Sequence, residues 1–301
     1  MRSPWIAALR SVALNVPDLK AAEDFYTRVW HLAVVAREGE GAIYLRGTGA
    51  DHHLLALHAT SGPAAVRFVT LRARSAEALG AIADAAVQAG GSVVSAPAPM
   101  SKPGGGSGLT VQDADGRVFQ VVHGDTLHED VREARDHPLR LGHVVLNSHD
   151  IVRTQAFLER ALGFRLADRT RIMAFMNCNA DHHSIALGDT DNDALNHIAF
   201  LMPELDSVMR GGGRMRDAGH DIEWGPGRHG PGDNAFNYFI DPFGIVIEYT
   251  AEVEQIDDSY RAGGPDDWKW PAGRVDQWGI GRPPSERLKA AQRQVFFAPV
   301  G

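Results

Sequence analysis

Apolar and polar positions along this chain fall into one order four times over. A short apolar run with the length of a strand leads into an amphipathic stretch with the spacing of a helix, and further strand-like runs follow. The first copy reads RSVALNVPD, then LKAAEDFYTRVW, then AIYLRG and HHLLALHA. The second starts at VRFVTLRA, continues through SAEALGAIADAAVQAG and ends in GLTVQDADGRVFQVVHG. In the third, GHVVLNSHD precedes IVRTQAFLERALG, where Gly163 just past the last apolar position is a helix stop. The fourth begins NHIAFLMPE, passes through SVMRGGGRMRDAG and ends in NYFIDPFGIVIEYTAE. Helix starts are expected near Asp18, Ser75, Asp150 and Glu204.

The copies pair into two similar halves. DHHLLAL (51–57) recurs as DHHSIAL (181–187), and QDADGRVFQV (112–121) answers IDPFGIVIEY (240–249), each pair of strands turning around a D-x-x-G or D-x-D-G corner. Several matches in register mean duplication. An α+β protein of two domains follows, over residues 1–130 and 138–252, each built from two βαβββ units and joined by the charged segment HEDVREARDHP. Residues 253–301 form a Pro/Gly-rich C-terminal extension whose Trp268, Trp270 and Trp278 need apolar surface to cover, so it is expected to wrap the second domain and end in the short helix SERLKAAQRQ. The glycine-rich KPGGGSG (102–108) and RGGGR (210–214) do not follow a strand and open a helix, as a phosphate cradle must, and read as loops or helix interruptions.

Composition narrows the function. With 44% hydrophobic residues the 301-residue chain can bury a sizeable core, and no run approaches the roughly 20 apolar residues of a membrane span. The N-terminus lacks the apolar core of a signal peptide, so the cytoplasm is the expected compartment. The single cysteine, Cys178, excludes an intrachain disulfide framework and a Cys-rich zinc site, which leaves His and carboxylates to hold any metal. A net charge of −8 with acids and bases interspersed offers no surface for nucleic acid and favours a small-molecule partner.

Laying one half over the other isolates the candidate chemistry. Ser11 stands opposite His143, Arg67 opposite His197, and Gln120 opposite Glu248. The second half thus gains two imidazoles and one carboxylate, the donor set of a facial triad that leaves positions open on a ferrous ion. Each histidine alone reads equally as a hydrogen-bonded core residue. Glu248, inside the apolar IVIEYT, needs a compensating partner, either a metal ion or an arginine. The position that could supply a fourth ligand falls at Ala186 or Leu187, so a closed four-ligand site is not expected. His183, His229 and Tyr238 lie in the same segments, Tyr238 sharing a strand face with Phe236 and Ile240. His31, His58, His123, His128, His137, His149 and His220 have no partner pattern.

The stretch HIAFLMPELDSV, followed by GPGRHGPGDNAFNYFIDPFGIVIEYT, resembles the C-terminal half of type I extradiol ring-cleaving dioxygenases of the vicinal oxygen chelate superfamily, and the likeness extends over residues 5–252. The resemblance implies paired βαβββ modules forming an open barrel in each domain, with metal only in the C-terminal one. It makes His143, His197 and Glu248 the ligands of Fe(II), with Mn(II) as the alternative. It matches His183 to an acid/base histidine, and His229 and Tyr238 to residues that hydrogen-bond the substrate. The implied partners are a catechol-type aromatic diol and O2, the implied product a muconic semialdehyde, and the implied assembly a homo-oligomer without nucleic acid or membrane. Two rivals share the fold: a glyoxalase-type metal-dependent isomerase, and a metal-free small-molecule binder.

Overall fold

Each apolar run that opens a repeat becomes the central strand of its unit. The computed structural model describes residues 3–132 and 134–300 and carries two eight-stranded sheets. The first contains β1 (Ile6–Val16), β2 (Ala33–Glu38), β3 (Ala42–Arg46), β4 (Leu55–Ala59), β5 (Ala65–Ala73), β6 (Ser92–Pro99), β7 (Ser107–Gln112) and β8 (Val118–His123) in the order β2-β3-β4-β1-β5-β8-β7-β6. The second contains β9 (Arg140–Ser148), β10 (Arg165–Arg169), β11 (Met173–Asn177), β12 (Ile185–Asp189), β13 (Leu195–Leu201), β14 (Trp224–Arg228), β15 (Ala235–Ile240) and β16 (Val246–Ala251) in the order β10-β11-β12-β9-β13-β16-β15-β14. Strand for strand the two orders are the same. Within each βαβββ unit the first strand pairs in parallel with the fourth, and the two first strands of a half pair antiparallel at its centre. The sheets stay open, with β2 and β6 at the edges of one and β10 and β14 at the edges of the other.

The helices are α1 (Leu19–Asp24), α2 (Ala76–Gln88), α3 (Ile151–Leu162), α4 (Leu205–Asp217) and α5 (Glu286–Ala291). Asp18, Ser75 and Asp150 each accept the backbone N–H three residues ahead, satisfying a donor the helix leaves open, while Gly163 closes α3 at φ 68. The glycines of RGGGR do not interrupt α4, contrary to the sequence expectation. They let the helix press on the sheet: a Cβ at Gly211 would stand 2.7 Å from the Tyr249 ring, and one at Gly212 2.9 Å from Asn237 Nδ2. Close packing here outweighs the cost of about 1 kcal/mol per helical glycine.

Alternation along the strands separates a helix-covered face from an open one. Val144, Leu146, Ile198, Phe200, Ile247 and Tyr249 belong to the main core, which leaves the intervening residues of β9, β13 and β16 on the opposite face. The halves are locked together through that core. Trp30 of the first stacks on Tyr249 of the second at 3.7 Å, and the Tyr26 hydroxyl donates to Asp241 Oδ2 at 2.9 Å. In return, the fully buried Arg117 holds Asp113 and reaches across to Asn147 O and Thr154. Among the described residues, no helix is long and apolar enough to cross a membrane.

Candidate metal centre

Register brings the candidate ligands to one point. Ala199 lies opposite His143 on one side and Glu248 on the other, and Tyr238 lies opposite Glu248, so these four form one row across β9, β13, β16 and β15. His197, two residues before Ala199, points to the same face. The result is a buried triangle: Glu248 Oε2 stands 3.1 Å from both His143 Nε2 and His197 Nε2, and the two nitrogens are 3.3 Å apart. Donors spaced this way subtend angles of about 95–105° at an ion roughly 2.1 Å from each. The open side of a facial triad fits that geometry. Without a cation, two imidazole nitrogens and a carboxylate would face one another in a desolvated pocket.

The surroundings tune the triangle. Burial alone would raise the Glu248 pKa, but the two imidazoles overturn this and hold the carboxyl well below its usual range, so it is an anion throughout the working pH. Asn196 Oδ1 stands 2.8 Å from His197 Nδ1 and is itself fixed by the Gln292 amide, which leaves His197 Nε2 for the centre. Asn234, also buried, donates to Glu248 Oε1 at 3.5 Å and to Thr250 at 2.8 Å. No arginine pairs with Glu248 among the described residues, which removes the alternative partner left open by the sequence.

His183, His229 and Tyr238 gather on the same face. The His183 ring lies 4.4 Å from that of His143, and burial, reinforced by neighbouring imidazoles, pulls its pKa well below the ordinary value. His229 Nε2 is 3.0 Å from the Tyr238 hydroxyl, which is 3.4 Å from His197 Nε2. Burial pushes His229 down to about 4, whereas burial and the Glu248 charge push Tyr238 well up, so one stays a neutral imidazole and the other a protonated phenol. Trp224, which no sequence motif marked, packs against both, 5.2 Å from His229 and 5.0 Å from Tyr238, and Phe175 meets His183 edge-on at 5.1 Å.

Two further residues were invisible to the motif comparison. His182 Nδ1 lies 3.1 Å from His183 Nδ1, and His182 Nε2 lies 2.9 Å from Asp168 Oδ2; both side chains are fully buried. The extension covers this side as well. Trp268 and Trp270 rest on Gly230, Arg228 stacks its guanidinium over Trp278 at 5.1 Å, and the Gln277 amide donates to His229 O at 2.6 Å. Leu288 and Ala291 of α5 join the cluster of Phe236 and Tyr238.

Two expectations are corrected. Phe68, not Arg67, is the counterpart of His197: Phe68 pairs with Ala13 as His197 pairs with Val145, while Ser11 and Gln120 do match His143 and Glu248. Arg67 in β5 and Asn196 in β13 are the extra, unpaired residues of equivalent bulges, so Arg67 answers Asn196 and the residue after it answers His197. By the same register, Ala186 is the position equivalent to Glu248 within the second half, so no fourth protein ligand is supplied there. His149, earlier without a partner, bonds Asp193 at 2.7 Å beside Asp115, but Arg117 and Arg153 already neutralise that acidic pair.

Comparison with known proteins agrees with this architecture. Residues 8–121 and 140–249 match the family model described as the Glyoxalase/Bleomycin resistance protein/Dioxygenase superfamily. Metapyrocatechase 2 of Cupriavidus necator is 35% identical over 151 residues, which cover 47% of this chain and 45% of that protein, so less than half of its length is matched. The Mn(II)-bound glyoxalase from Novosphingobium aromaticivorans superposes with a TM-score of 0.87 at 33% identity, covering 94% of both chains. An extradiol ring-cleaving dioxygenase from B. fuscum superposes with a TM-score of 0.80 at 25% identity, covering 92% of this chain and 80% of that one. The matched segments take in both sheets and all three residues of the triangle, and on that basis the chain belongs to the Glyoxalase/Bleomycin resistance protein/Dioxygenase superfamily.

Proposed function

We propose that the protein is an extradiol ring-cleaving dioxygenase acting on a catechol-type aromatic diol, with Fe(II), or alternatively Mn(II), held by His143, His197 and Glu248. The observation that carries this reading is the convergence of two imidazoles and one carboxylate beside a buried neutral histidine, with no fourth protein ligand among the described residues. A bound Fe(II) or Mn(II) would supply a Lewis-acidic, redox-active meeting point with room for both diol oxygens and dioxygen. The rest is the work of the chain. His183, neutral because it is buried, can accept a proton from a diol hydroxyl and return it when the O–O bond breaks. Tyr238, kept protonated, donates a hydrogen bond to a ring oxygen, and His229, bonded to that hydroxyl, fixes its direction. Trp224 and Phe175 stiffen these side chains and exclude water. Cleavage beside the hydroxyls would give a muconic semialdehyde-type product.

A glyoxalase-type isomerase is the second reading, because the Novosphingobium structure bears that description. Ala186 in place of a fourth ligand, together with His183, His229 and Tyr238, favours the dioxygenase. Anaerobic loading with Fe(II), then oxygen uptake against a panel of aromatic diols, tests the choice. Uptake with a yellow ring-opened product is expected. Bound iron without uptake on any diol would overturn the proposal.

A further inference from the structure

We propose that Asp168 and His182 are positioning residues that set the tautomer of His183, and that the C-terminal extension holds them in place through Tyr260 and Gly263. The inference rests on the dioxygenase reading and deepens it.

The chain of contacts is continuous. Asp168, on β10, is fully buried and meets three donors: Tyr260 O–H to Oδ2 at 3.0 Å, Gly263 N–H to Oδ1 at 2.5 Å, and His182 Nε2 to Oδ2 at 2.9 Å. A carboxylate so surrounded is an acceptor only, so the proton on His182 sits on Nε2. His182 Nδ1 then carries a lone pair. The hydrogen between the two Nδ1 atoms, 3.1 Å apart, must come from His183. His183 is therefore the Nδ1–H tautomer, and its Nε2 is left with the lone pair that a base needs. The proton gained there makes an imidazolium whose charge His182 and Asp168 stabilise without moving.

Gly232, at φ +80, walls in the pair: a Cβ there would stand 3.0 Å from His183 Cε1 and 3.2 Å from His182 Nδ1. The extension lies along the other side. Glu254 O accepts from His182 N, Ile256 N donates to Ala180 O, and Gly263 O accepts from Arg169 N, which places both donors to Asp168 on a segment tied down at each end.

The first half provides an internal control. His52 and His53 repeat the pair, with Nδ1 atoms 3.0 Å apart, so the two-histidine geometry belongs to the fold. The anchor does not. Ala36 pairs with Tyr44 as Asp168 pairs with Phe175, so alanine stands where the carboxylate stands. The chain leaves β8 as it leaves β16, His128 N donating to Ala50 O as Ile256 N donates to Ala180 O, but the alanine offers that segment no carboxylate to clamp. The carboxylate and its clamp occur in the half that holds the triangle.

The test combines turnover with a direct reading of the tautomer. In the Fe(II)-loaded full chain, Asp168→Asn and His182→Leu should lower kcat on the order of 10–100-fold, and Tyr260→Phe several-fold, with iron content and anaerobic diol affinity unchanged. His182→Asn keeps an acceptor where Nδ1 stood and should recover much of the loss. Long-range 15N NMR of the full chain loaded with diamagnetic Zn(II) should show His183 protonated on Nδ1, and mixed tautomers in Asp168→Asn. An Nε2–H tautomer in the parent, or no change in Asp168→Asn, overturns the proposal. So does an equal fall of His182→Asn and His182→Leu accompanied by lost iron, the mark of a merely structural role. If the parent consumes no oxygen, the dioxygenase reading fails by itself, and the tautomer still decides the positioning.

Discussion

One point on the sheet separates the two halves. In the second, His143, His197 and Glu248 converge on it; in the first, the equivalent residues are Ser11, Phe68 and Gln120. The first half does not leave that space neutral. Arg10, at the bulge where the second half has Gly142, sends its guanidinium between Ser11 Oγ at 2.9 Å and His53 Nε2 at 2.6 Å, the counterparts of His143 and His183. Asp125, itself paired with Arg72, holds it there, beside a cavity of about 190 Å³ lined by Tyr44, Phe68 and Gln120. A fixed internal cation thus lies next to the point where, on the proposed reading, the second half would hold a metal ion. The comparison teaches that the sheet needs a satisfied centre and not a metal, so stability and chemistry should separate between the halves.

The largest expected effect breaks the second centre by giving it the first half's residue. Glu248→Gln keeps the volume and removes the charge; Gln120 shows that the fold accepts the amide at this position. Metal content should fall to near background and kcat by about three orders of magnitude, since Lewis-acid stabilisation worth several kcal/mol is lost. The metal-free variant should still unfold cooperatively near the temperature of the metal-free parent. Retained iron with normal turnover would remove Glu248 from the ligand set.

The reciprocal change in the first half should do the opposite. Arg10→Met strips His53 Nε2 of its donor and Asp125 of one of its two guanidinium partners, both buried. A loss of about 2–3 kcal/mol is expected, the range for hydrogen bonds to charged groups, read as a lower denaturant midpoint. Turnover of the folded enzyme should stay within about twofold, because Arg10 acts on stability alone. A large fall in kcat at full folding would show that the two centres are coupled.

How much of this could be read from the chain follows from how far each feature reaches along it. Repeats, helix starts and the open two-sheet fold depend on local period and on capping residues such as Asp18, Ser75 and Asp150, so they were legible. His143, His197 and Glu248 stood out because each differs from a frame-equivalent residue, though laying AVRFVT one residue early against LNHIAF moved one comparison from Phe68 to Arg67. Glycines 211–213 suggested a break because propensity cannot see the Tyr249 ring beneath α4. His182 was hidden for the reverse reason: the DHH motif is identical in both halves, and the difference lies upstream, where Asp168 replaces Ala36. Asn196 borders His197 but is fixed by the distant Gln292, and Asn234 and Trp224 act on Glu248 and Tyr238 further along the chain, so no short motif carries that information.

The smallest expected effect probes the seam between the halves, where a phenol from one meets a carboxylate of the other. Burial raises Asp241 to about 6, while the Tyr26 hydroxyl and backbone N–H groups of the turn pull it back. The sign follows from linkage. A carboxyl whose folded pKa lies above its unfolded value of about 3.9 stabilises the fold fully below pH ~4 and loses that contribution as pH rises through ~6. Tyr26→Phe removes one donor to the ionised form and raises the folded pKa further. Its cost should therefore be about 1 kcal/mol at pH 5, where Asp241 is protonated, and about 2 kcal/mol at pH 8, where a hydrogen bond to a charge is lost. Thermal midpoints of parent and variant at the two pH values read the difference directly. An equal cost at both would mean that Asp241 does not change its charge between them, and the hydroxyl would then join the halves only as a neutral contact.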